Sequence, residues 1–398
     1  MAENYAYLCD GVRTPFGRYG GSLSQIRTDD LAALPLSELM KRNPQIDFSD
    51  IDEVLLGCAN QSGEDNRNVA RMALLLAALP ESVPGITVNR LCASGLEAIA
   101  MGARSIRLGE GEMILAGGVE NMTRSPYVLG KSETSFGRNQ KLEDTTMGWR
   151  FINPLMKEKY GVDTMPETGE RVAKEFNVSR IDQDKFSLRS QERYARAYEK
   201  GVFKEEICPV KINGSVFDKD EHPRSSSLEA LSKLKSIVEP GGTLTAGNSS
   251  GINDGSVGVL LASESMVKKY NLRPIVRILG SAAAGVRPNI MGIGPVPAVH
   301  KLLLQHKLKI SDINVWELNE AFASQSLAVL RSLGLPEDGE FINANGGAIA
   351  LGHPLGASGA RITLHAALEL RRRQGRYAVA TMCVGVGQGS AILMERVS

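Results

Sequence analysis

The chain of 398 residues is long enough for two or more domains, or for one duplicated domain. Its 46 basic and 45 acidic residues nearly cancel and form no long basic block, which argues against nucleic acid and anionic membranes as partners. The 5 cysteines are widely spaced and include no CxxC pair, which favours a reducing compartment over a disulfide framework or a structural zinc site. Because no stretch approaches about 18 consecutive apolar residues and no secretory pattern opens the chain, we expect a cytoplasmic protein that does not cross a membrane.

Short apolar runs alternate with helical periodicity in the first part of the chain. The predicted elements are a strand up to Cys9, a loop over Asp10–Ser24, a helix over Asp29–Arg42, a strand over Glu53–Leu56, a helix over Asn66–Leu79, a strand over Ile86–Asn89, a helix after Cys92 and a strand over Met113–Ala116 that ends at Gly117-Gly118. Strand and helix in alternation predict a mostly parallel sheet with helices on both faces.

Residues 121–248 differ from this pattern because they are more polar and irregular. One helix inside them is well signalled: Ser179 is a candidate N-cap with Asp182 three residues on, and Gly201 ends the pattern. We predict an inserted, loop-rich domain that covers a site on the scaffold. The predicted domains are 1–120 plus 249–272, the insertion 121–248, and 273–398.

Cys92 lies between a β-rich stretch and a helical run of small residues. A thiol at the first turn of a helix feels the partial positive charge of free N–H groups, which favours the thiolate and makes Cys92 a candidate nucleophile. The alternative is a buried structural cysteine that behaves as a small hydrophobe.

The second half of the chain repeats the first. Three echoes occur in the same order, namely Cys9-Asp-Gly-Val-Arg-Thr-Pro15 with Ala283-Ala-Gly-Val-Arg-Pro288, Ser49-Asp-Ile-Asp-Glu-Val-Leu-Leu56 with Ser311-Asp-Ile-Asn-Val-Trp-Glu-Leu318, and Gly255-Ser-Val-Gly-Val-Leu-Leu-Ala-Ser-Glu264 with Gly389-Ser-Ala-Ile-Leu-Met-Glu395. They predict two similar halves. In the second echo, Cys92 lies 43 residues after Ser49 and His353 lies 42 residues after Ser311, so the two residues stand at matching helix starts. Packing of the halves about a pseudo-two-fold axis would bring both residues to one cleft.

The second half holds three further candidates. His353 is surrounded by glycines before a helix, and no GK[ST] ending marks that stretch as a phosphate-binding loop. Cys383 lies where an apolar strand runs into another glycine-rich loop. Asn319 follows a strand and either donates a hydrogen bond in a site or caps the next helix.

Together these motifs resemble those of the thiolases along essentially the whole chain. The motifs are Cys92-Ala-Ser-Gly95, Gly117-Gly-Val-Glu-Asn121, Thr245-Ala-Gly-Asn-Ser-Ser-Gly251, Asn319-Glu-Ala-Phe322, Gly352-His353-Pro354 and Cys383-Val-Gly-Val-Gly-Gln-Gly389. The resemblance implies an α/β chain with a duplicated, five-layer α/β/α/β/α fold, and an assembly of two tight dimers into a homotetramer. It also implies cleavage of a 3-oxoacyl-CoA with CoA as co-substrate, or the reverse condensation, with no permanently bound cofactor and no metal.

The resemblance assigns a role to each candidate. Cys92 would be the nucleophile, His353 the acceptor of its proton, and Cys383 the acid or base at the acetyl-CoA enolate. Asn319, through a water, and His353 would form one oxyanion hole, and the backbone N–H groups of Cys92 and Gly385 the other. The CoA contacts that match motif positions are Ser250, Phe322 and Met291; Arg224 is either a further CoA contact or a solvated loop arginine.

Within the thiolases, residues 57–71 and 144–156 look like the 3-oxoadipyl-CoA (β-ketoadipyl-CoA) thiolases of aromatic-compound breakdown. Such an enzyme needs a partner for the carboxylate at the far end of the acyl chain. Arg150 is a candidate because a guanidinium matches a carboxylate bidentately; the alternative is an arginine in a surface salt bridge.

Three other functions stay open at this point. The first is a general acetoacetyl-CoA or fatty 3-oxoacyl-CoA thiolase, which would need an apolar tunnel for a long chain. The second is a thiolase-like acyl-CoA or lipid-binding protein without catalysis. The third is a metal site of Cys92, Cys383 and His353, although the glycine-rich loops around them suit a thioester better.

Overall fold

The computed structural model describes residues 4–397. Its strands are β1 (Ala6–Arg13), β2 (Gly17–Arg18), β3 (Glu53–Gly57), β4 (Gly85–Val88), β5 (Met113–Asn121), β6 (Tyr127–Leu129), β7 (Leu142–Asp144), β8 (Val210–Ile212), β9 (Ser215–Phe217), β10 (Asn253–Ala262), β11 (Val276–Gly285), β12 (Val315–Leu318), β13 (Tyr377–Val384) and β14 (Gln388–Arg396). Its helices are α1 (Thr28–Arg42), α2 (Val69–Leu76), α3 (Ser94–Leu108), α4 (Pro154–Tyr160), α5 (Met165–Glu175), α6 (Arg180–Glu199), α7 (Leu228–Ser232), α8 (Glu264–Lys269), α9 (Pro295–Gln305), α10 (Ala323–Leu333), α11 (Ala348–Leu351) and α12 (Leu355–Arg373). Within residues 4–397, none of these helices has the length and apolar character needed to cross a membrane.

The large sheet consists of two half-sheets with the same strand order. The first runs β4-β3-β5-β10-β1 and the second β12-β13-β14-β11, and they join where Ala6–Leu8 of β1 pair with Val276–Ile278 of β11. The strand that would match β4 is reduced to one parallel bridge between Trp316 and Ile342. The repeat predicted from the sequence is therefore confirmed in the topology.

Alternate residues of each strand face opposite layers of the molecule. In the first half-sheet, Leu55 faces a core shared with α3 and α12, whereas Val54 and Leu56 face α1 and α2. In the second, Ala378 and Ala380 face that same shared core, and their neighbours face α9 and α10. The layers are thus helices, half-sheet, the central pair α3 and α12, half-sheet and helices, as the predicted five-layer fold requires.

The prediction of a mostly parallel sheet is wrong. Only β3 with β4, β3 with β5 and β12 with β13 are parallel among the described strand pairs; the remaining pairs are antiparallel. Helical crossovers do produce parallel neighbours, but β13 returns as β14 through a tight hairpin, and β10 returns beside β5 only after the long segment 122–252.

Two element ends were also predicted wrongly. Residues 10–13 continue β1, because Gly11–Arg13 pair with β10 instead of forming a loop. Likewise β5 continues through Gly117-Gly118 to Asn121, since these glycines let the neighbouring backbone approach: a Cβ on Gly118 would lie 2.0 Å from the carbonyl oxygen of Gly356.

Between β5 and β10 the chain forms a separate set of short helices and hairpins. The predicted long helix is confirmed as α6: Ser179 caps it by accepting a hydrogen bond from the Asp182 N–H, and Gly201 follows its end with a φ of 70°. The domain bounds given above stay a prediction.

Candidate active site

Cys92 and His353 lie just before the two central helices, α3 and α12. The first turns of these helices pack backbone against backbone: a Cβ on Gly95 would lie 2.5 Å from the Gly356 carbonyl oxygen, and one on Gly359 would lie 2.5 Å from the Leu96 nitrogen. Small residues at both helix starts therefore allow the two helices, and the residues that precede them, to come close together. That the Cys92 and His353 side chains share one cleft stays a prediction.

Cys92 is presented by a tight turn. Leu91 has a φ of 46°, in a backbone region that residues other than glycine rarely adopt. The Ser94 hydroxyl fixes the turn by accepting a hydrogen bond from the Arg90 N–H and donating one to the Leu91 carbonyl. The backbone N–H groups of Gly385 and of Cys92 itself point at the Cys92 sulfur. Both N–H groups therefore donate to the sulfur itself.

The prediction that the helix start favours a Cys92 thiolate is wrong for the resting protein. Burial raises the pKa of Cys92 to about 11, which outweighs the two N–H groups that lower it. The thiol is therefore neutral at pH 7 and needs a base before it can act as a nucleophile.

The hydrogen bonds of His353 fix which of its ring nitrogens can accept a proton. Its Nδ1 lies 2.6 Å from Ser358 Oγ, and the Ser358 hydroxyl donates to the Pro354 carbonyl at 2.8 Å. Because the serine has a single proton, Nδ1 must donate to Oγ, which leaves the Nε2 lone pair free to accept. Burial and the charge of Arg361 lower the pKa of His353 to about 4, so the ring is neutral at pH 7.

Two asparagines hold the histidine from opposite sides. Asn319 Nδ2 lies 3.4 Å from His353 Nε2, and its Oδ1 is buried with no hydrogen-bond partner among residues 4–397. Asn253 Oδ1 accepts from the His353 backbone N–H at 3.0 Å and packs against Gly352, whose φ is 102°. The unpaired oxygen of Asn319 is a polar atom available to a substrate or a water in the cleft.

Cys383 is buried near the end of β13, two residues before Gly385, which lies in the turn between β13 and β14. Burial and the neighbouring Cys92 raise the pKa of Cys383 well above its usual value. Its thiol therefore keeps its proton at rest and is positioned close to Cys92.

The four predicted CoA contacts differ in their burial and in their location. Phe322 and Met291 are buried in one small cluster with Cys383, and the Ser250 N–H donates to the Ala321 carbonyl beside them. Arg224 is exposed and donates from Nη2 to the Ala246 carbonyl at 2.9 Å, next to the loop that carries Ser250.

Comparison with known proteins assigns the chain to a family. The thiolase N-terminal domain matches residues 6–265 and the C-terminal domain matches residues 272–396. The chain belongs to the thiolase family. It is 61% identical to a Pseudomonas aeruginosa protein named beta-ketoadipyl-CoA thiolase, across 98% of this chain and 99% of that protein.

Two further relatives extend the comparison. An Escherichia coli 3-oxoadipyl-CoA/3-oxo-5,6-dehydrosuberyl-CoA thiolase is 56% identical across 98% of this chain and 99% of that protein. The crystal structure of human mitochondrial 3-ketoacyl-CoA thiolase in complex with CoA superposes with a TM-score of 0.92, at 40% identity across 99% of this chain and 98% of that one. The thiolase fold predicted from the sequence is confirmed.

The thiolase site also contains a buried carboxylate that the sequence analysis missed. Glu120, at the end of β5, accepts from the backbone N–H groups of Ala59, Asn60 and Gly356 at 2.8–3.0 Å. It thereby ties the first turn of α12, which follows His353, to the loop after β3. The signal was present: a glutamate in an otherwise buried, apolar strand requires a specific partner.

Glu120 also belongs to the group of ligand-type atoms that lie close enough together to hold a metal ion within residues 4–397, with Cys58 and Asp65. Their contacts are already protein ones: the Cys58 thiol lies 3.5 Å from Asp65, and Asp65 accepts from the N–H groups of Gln61 and Gly63. The set Cys92, Cys383 and His353 does not form such a group.

Replacing Glu120 with glutamine is expected to lower kcat about 10- to 100-fold with KM changed little. The amide group turns an N–H toward a backbone N–H, so one hydrogen bond is lost and the first turn of α12 shifts against Cys92. Steady-state thiolysis kinetics measure this split.

The matched control is Glu110→Gln, an exposed change just beyond α3, for which we expect wild-type kinetics. Equal kcat for Glu120→Gln and wild type would show that the carboxylate does not position the catalytic helix.

Proposed function

We propose that this thiolase cleaves 3-oxoadipyl-CoA with CoA to succinyl-CoA and acetyl-CoA through an acyl-cysteine intermediate. The observation that carries the proposal is the backbone packing between the starts of α3 and α12, which follow Cys92 and His353, together with the closeness of Cys383 to Cys92. The printed names of full-length relatives at 61% and 56% identity support the choice of substrate. CoA acts as a co-substrate and no permanently bound cofactor is needed.

Because the Cys92 thiol and the His353 ring are both neutral at rest, the first step is a proton transfer between them. His353 Nε2 takes the proton of the Cys92 thiol, and the sulfur attacks the 3-oxo carbon. Collapse of the tetrahedral adduct breaks the C2–C3 bond, which leaves succinyl-Cys92 and the enolate of acetyl-CoA. Cys383 donates its proton to C2 of that enolate. The Cys383 thiolate then regains a proton from protonated His353. Neutral His353 accepts the thiol proton of CoA, whose sulfur attacks the succinyl carbonyl and displaces Cys92. That proton returns from His353 to the Cys92 sulfur as succinyl-CoA leaves.

Two sets of donors stabilise the negative charges of this sequence. The N–H groups of Cys92 and Gly385, already directed at the nucleophile, bind the oxyanion of the tetrahedral adducts. Asn319, through a water, and protonated His353 bind the enolate oxygen. One such donor is worth roughly 3 kcal/mol of transition-state stabilisation.

The CoA contacts follow from the same cluster. Phe322 and Met291 form an apolar wall beside Cys383, and Ser250 offers its hydroxyl at the rim. Arg224 reaches the same loop from the solvent side, where its charge suits a phosphate of CoA.

Substrate preference is the experiment that tests the proposal. We expect kcat/KM on 3-oxoadipyl-CoA to exceed that on acetoacetyl-CoA and on a long-chain 3-oxoacyl-CoA by at least about 10-fold. Mass analysis of the Cys92 peptide after quenching should give a succinyl adduct. A preference for an unbranched monocarboxylic substrate would instead support a general thiolase, and the absence of any Cys92 adduct would support a binding protein.

We further propose a cytoplasmic homotetramer. Strand β4 is an open edge of the large sheet, and exposed apolar residues lie on it and on the adjacent α2: Ile86, Met72, Leu75 and Leu76. A second exposed apolar set lies on the β6–β7 hairpin and its loop, namely Tyr127, Leu129, Phe136 and Leu142. Two separate patches fit two kinds of subunit contact.

A further inference from the structure

The substrate proposed above ends in a free carboxylate, and a carboxylate inside an enzyme cleft needs a cationic or hydrogen-bonding partner. The inference below rests on that proposed function. The partner must lie beside the acyl end of the cleft, and it must not already be neutralised by a protein carboxylate.

Arg150 lies on a segment that is held by hydrogen bonds at two neighbouring residues. Its Nη2 donates to the Asn60 carbonyl at 3.4 Å, and the preceding Trp149 donates from Nε1 to the Asp163 carbonyl at 3.1 Å. Asn60 in turn holds this segment, because its side-chain amide donates to the Thr145 carbonyl at 2.9 Å. Arg150 is half-buried in this position.

Both anchors lead to the catalytic cysteine. On one side, Ala59 next to Asn60 accepts from the Asn89 side chain, and Asn89 Oδ1 accepts from the Leu91 N–H immediately before Cys92. On the other side, Asp163 precedes the start of α5, where the Met165 sulfur faces Gly385. The segment that carries Arg150 is therefore linked through Asn60 toward the turn before Cys92 and through Trp149 toward the start of α5, whose Met165 lies beside Gly385.

The charge of Arg150 has no carboxylate partner within 4.0 Å among residues 4–397. Nearby arginines differ: Arg124 pairs with Glu64, and Arg90 pairs with Glu97. The single hydrogen bond of Arg150 is long and uses one of five donors, so two parallel N–H groups remain for a carboxylate.

We propose that Arg150 binds the terminal carboxylate of the acyl chain and sets the preference for a dicarboxylic substrate. A bidentate guanidinium–carboxylate pair fixes the far end of the chain while Cys92 attacks the 3-oxo carbon. A monocarboxylic chain of the same length leaves the guanidinium without a partner and gains nothing from it.

The test compares Arg150→Gln and Arg150→Lys on 3-oxoadipyl-CoA and on 3-oxohexanoyl-CoA, which has a methyl group in place of the carboxylate. We expect Arg150→Gln to lower kcat/KM on 3-oxoadipyl-CoA about 100-fold and to change it less than about 3-fold on 3-oxohexanoyl-CoA. Arg150→Lys keeps the charge without the bidentate fork, so an intermediate loss is expected.

Arg138→Gln is the matched control, because Arg138 is exposed in the same segment and has no ion pair among the described residues. An equal loss of Arg150→Gln on both substrates, or no loss on either, overturns the proposal. If wild-type enzyme itself does not prefer 3-oxoadipyl-CoA, the proposed function fails; a wild-type preference that survives in Arg150→Gln removes only the role of Arg150.

Discussion

Cys92→Ala is expected to lower the rate of thiolysis by about 10⁴-fold or more and to abolish the acyl adduct, while the protein stays folded and still binds CoA. The change removes the atom that forms the covalent bond, and the neighbouring thiol of Cys383 is buried and keeps its proton, so we do not expect it to replace Cys92. The expected structural cost is small because the thiol makes no hydrogen bond that holds α3; Ser94 holds that turn. Quenched-flow mass spectrometry and steady-state rates measure both effects.

A double-variant comparison decides whether Cys92 and His353 act as one unit. His353→Ala alone should cost about 10²- to 10⁴-fold, since it removes the acceptor of the thiol proton. If the two act together, Cys92→Ala/His353→Ala should be scarcely slower than Cys92→Ala. Fully multiplicative losses would contradict the proton transfer from Cys92 to Nε2.

The sequence alone predicts the pairing of these two residues because repeats preserve topology. Ser49 and Ser311 precede β3 and β12, which occupy the same place in their half-sheets. Counting 43 residues from Ser49 and 42 from Ser311 therefore reaches Cys92 and His353, just before α3 and α12. Spacing along a repeated chain therefore carries three-dimensional information that a single motif lacks.

Other features depend on packing that a linear pattern does not encode. The pair Gly117-Gly118 has the composition of a turn, yet it lies inside β5 because α12 needs the space. The pKa of Cys92 reflects burial more than its helix start, and burial is a property of the assembled layers. Asn253 supports His353 across 100 residues of chain, a distance over which no local signal acts.

Arg13 and Arg287 show most clearly that packing is not encoded in a linear pattern. They occupy equivalent positions in the repeat, but their surroundings differ. Arg13 is completely buried, pairs bidentately with Asp220 at 2.7 and 3.0 Å, and donates to Glu206 at 2.7 Å. Arg287 is exposed and pairs with Glu175 at the surface. Only the presence of the segment 122–252 over the first half buries one and not the other.

Arg13→Met is expected to destabilise the protein by about 3–5 kcal/mol, because it leaves the Asp220 carboxylate buried without its cation and the Glu206 carboxylate with only its contact to His365. An apparent Tm about 4–6 °C lower, measured by calorimetry at one scan rate, is the corresponding shift for a chain of this length. Arg287→Met is the matched control and should change stability by no more than about 0.5 kcal/mol. Equal shifts for the two variants would mean that the buried network contributes nothing beyond a surface pair.

The pH dependence of the stability difference between wild type and Arg13→Met is a second test of this prediction. Burial alone would raise the pKa of Glu206, but His365 and Arg13 lower it well below its usual value. A carboxyl whose folded pKa is depressed adds stability above its unfolded pKa of about 4.3 and loses it as the pH falls toward the folded value. The deficit of Arg13→Met should therefore be largest near pH 7 and shrink below about pH 4, whereas a deficit that is constant with pH would indicate lost packing of the side chain instead of a lost charge pair.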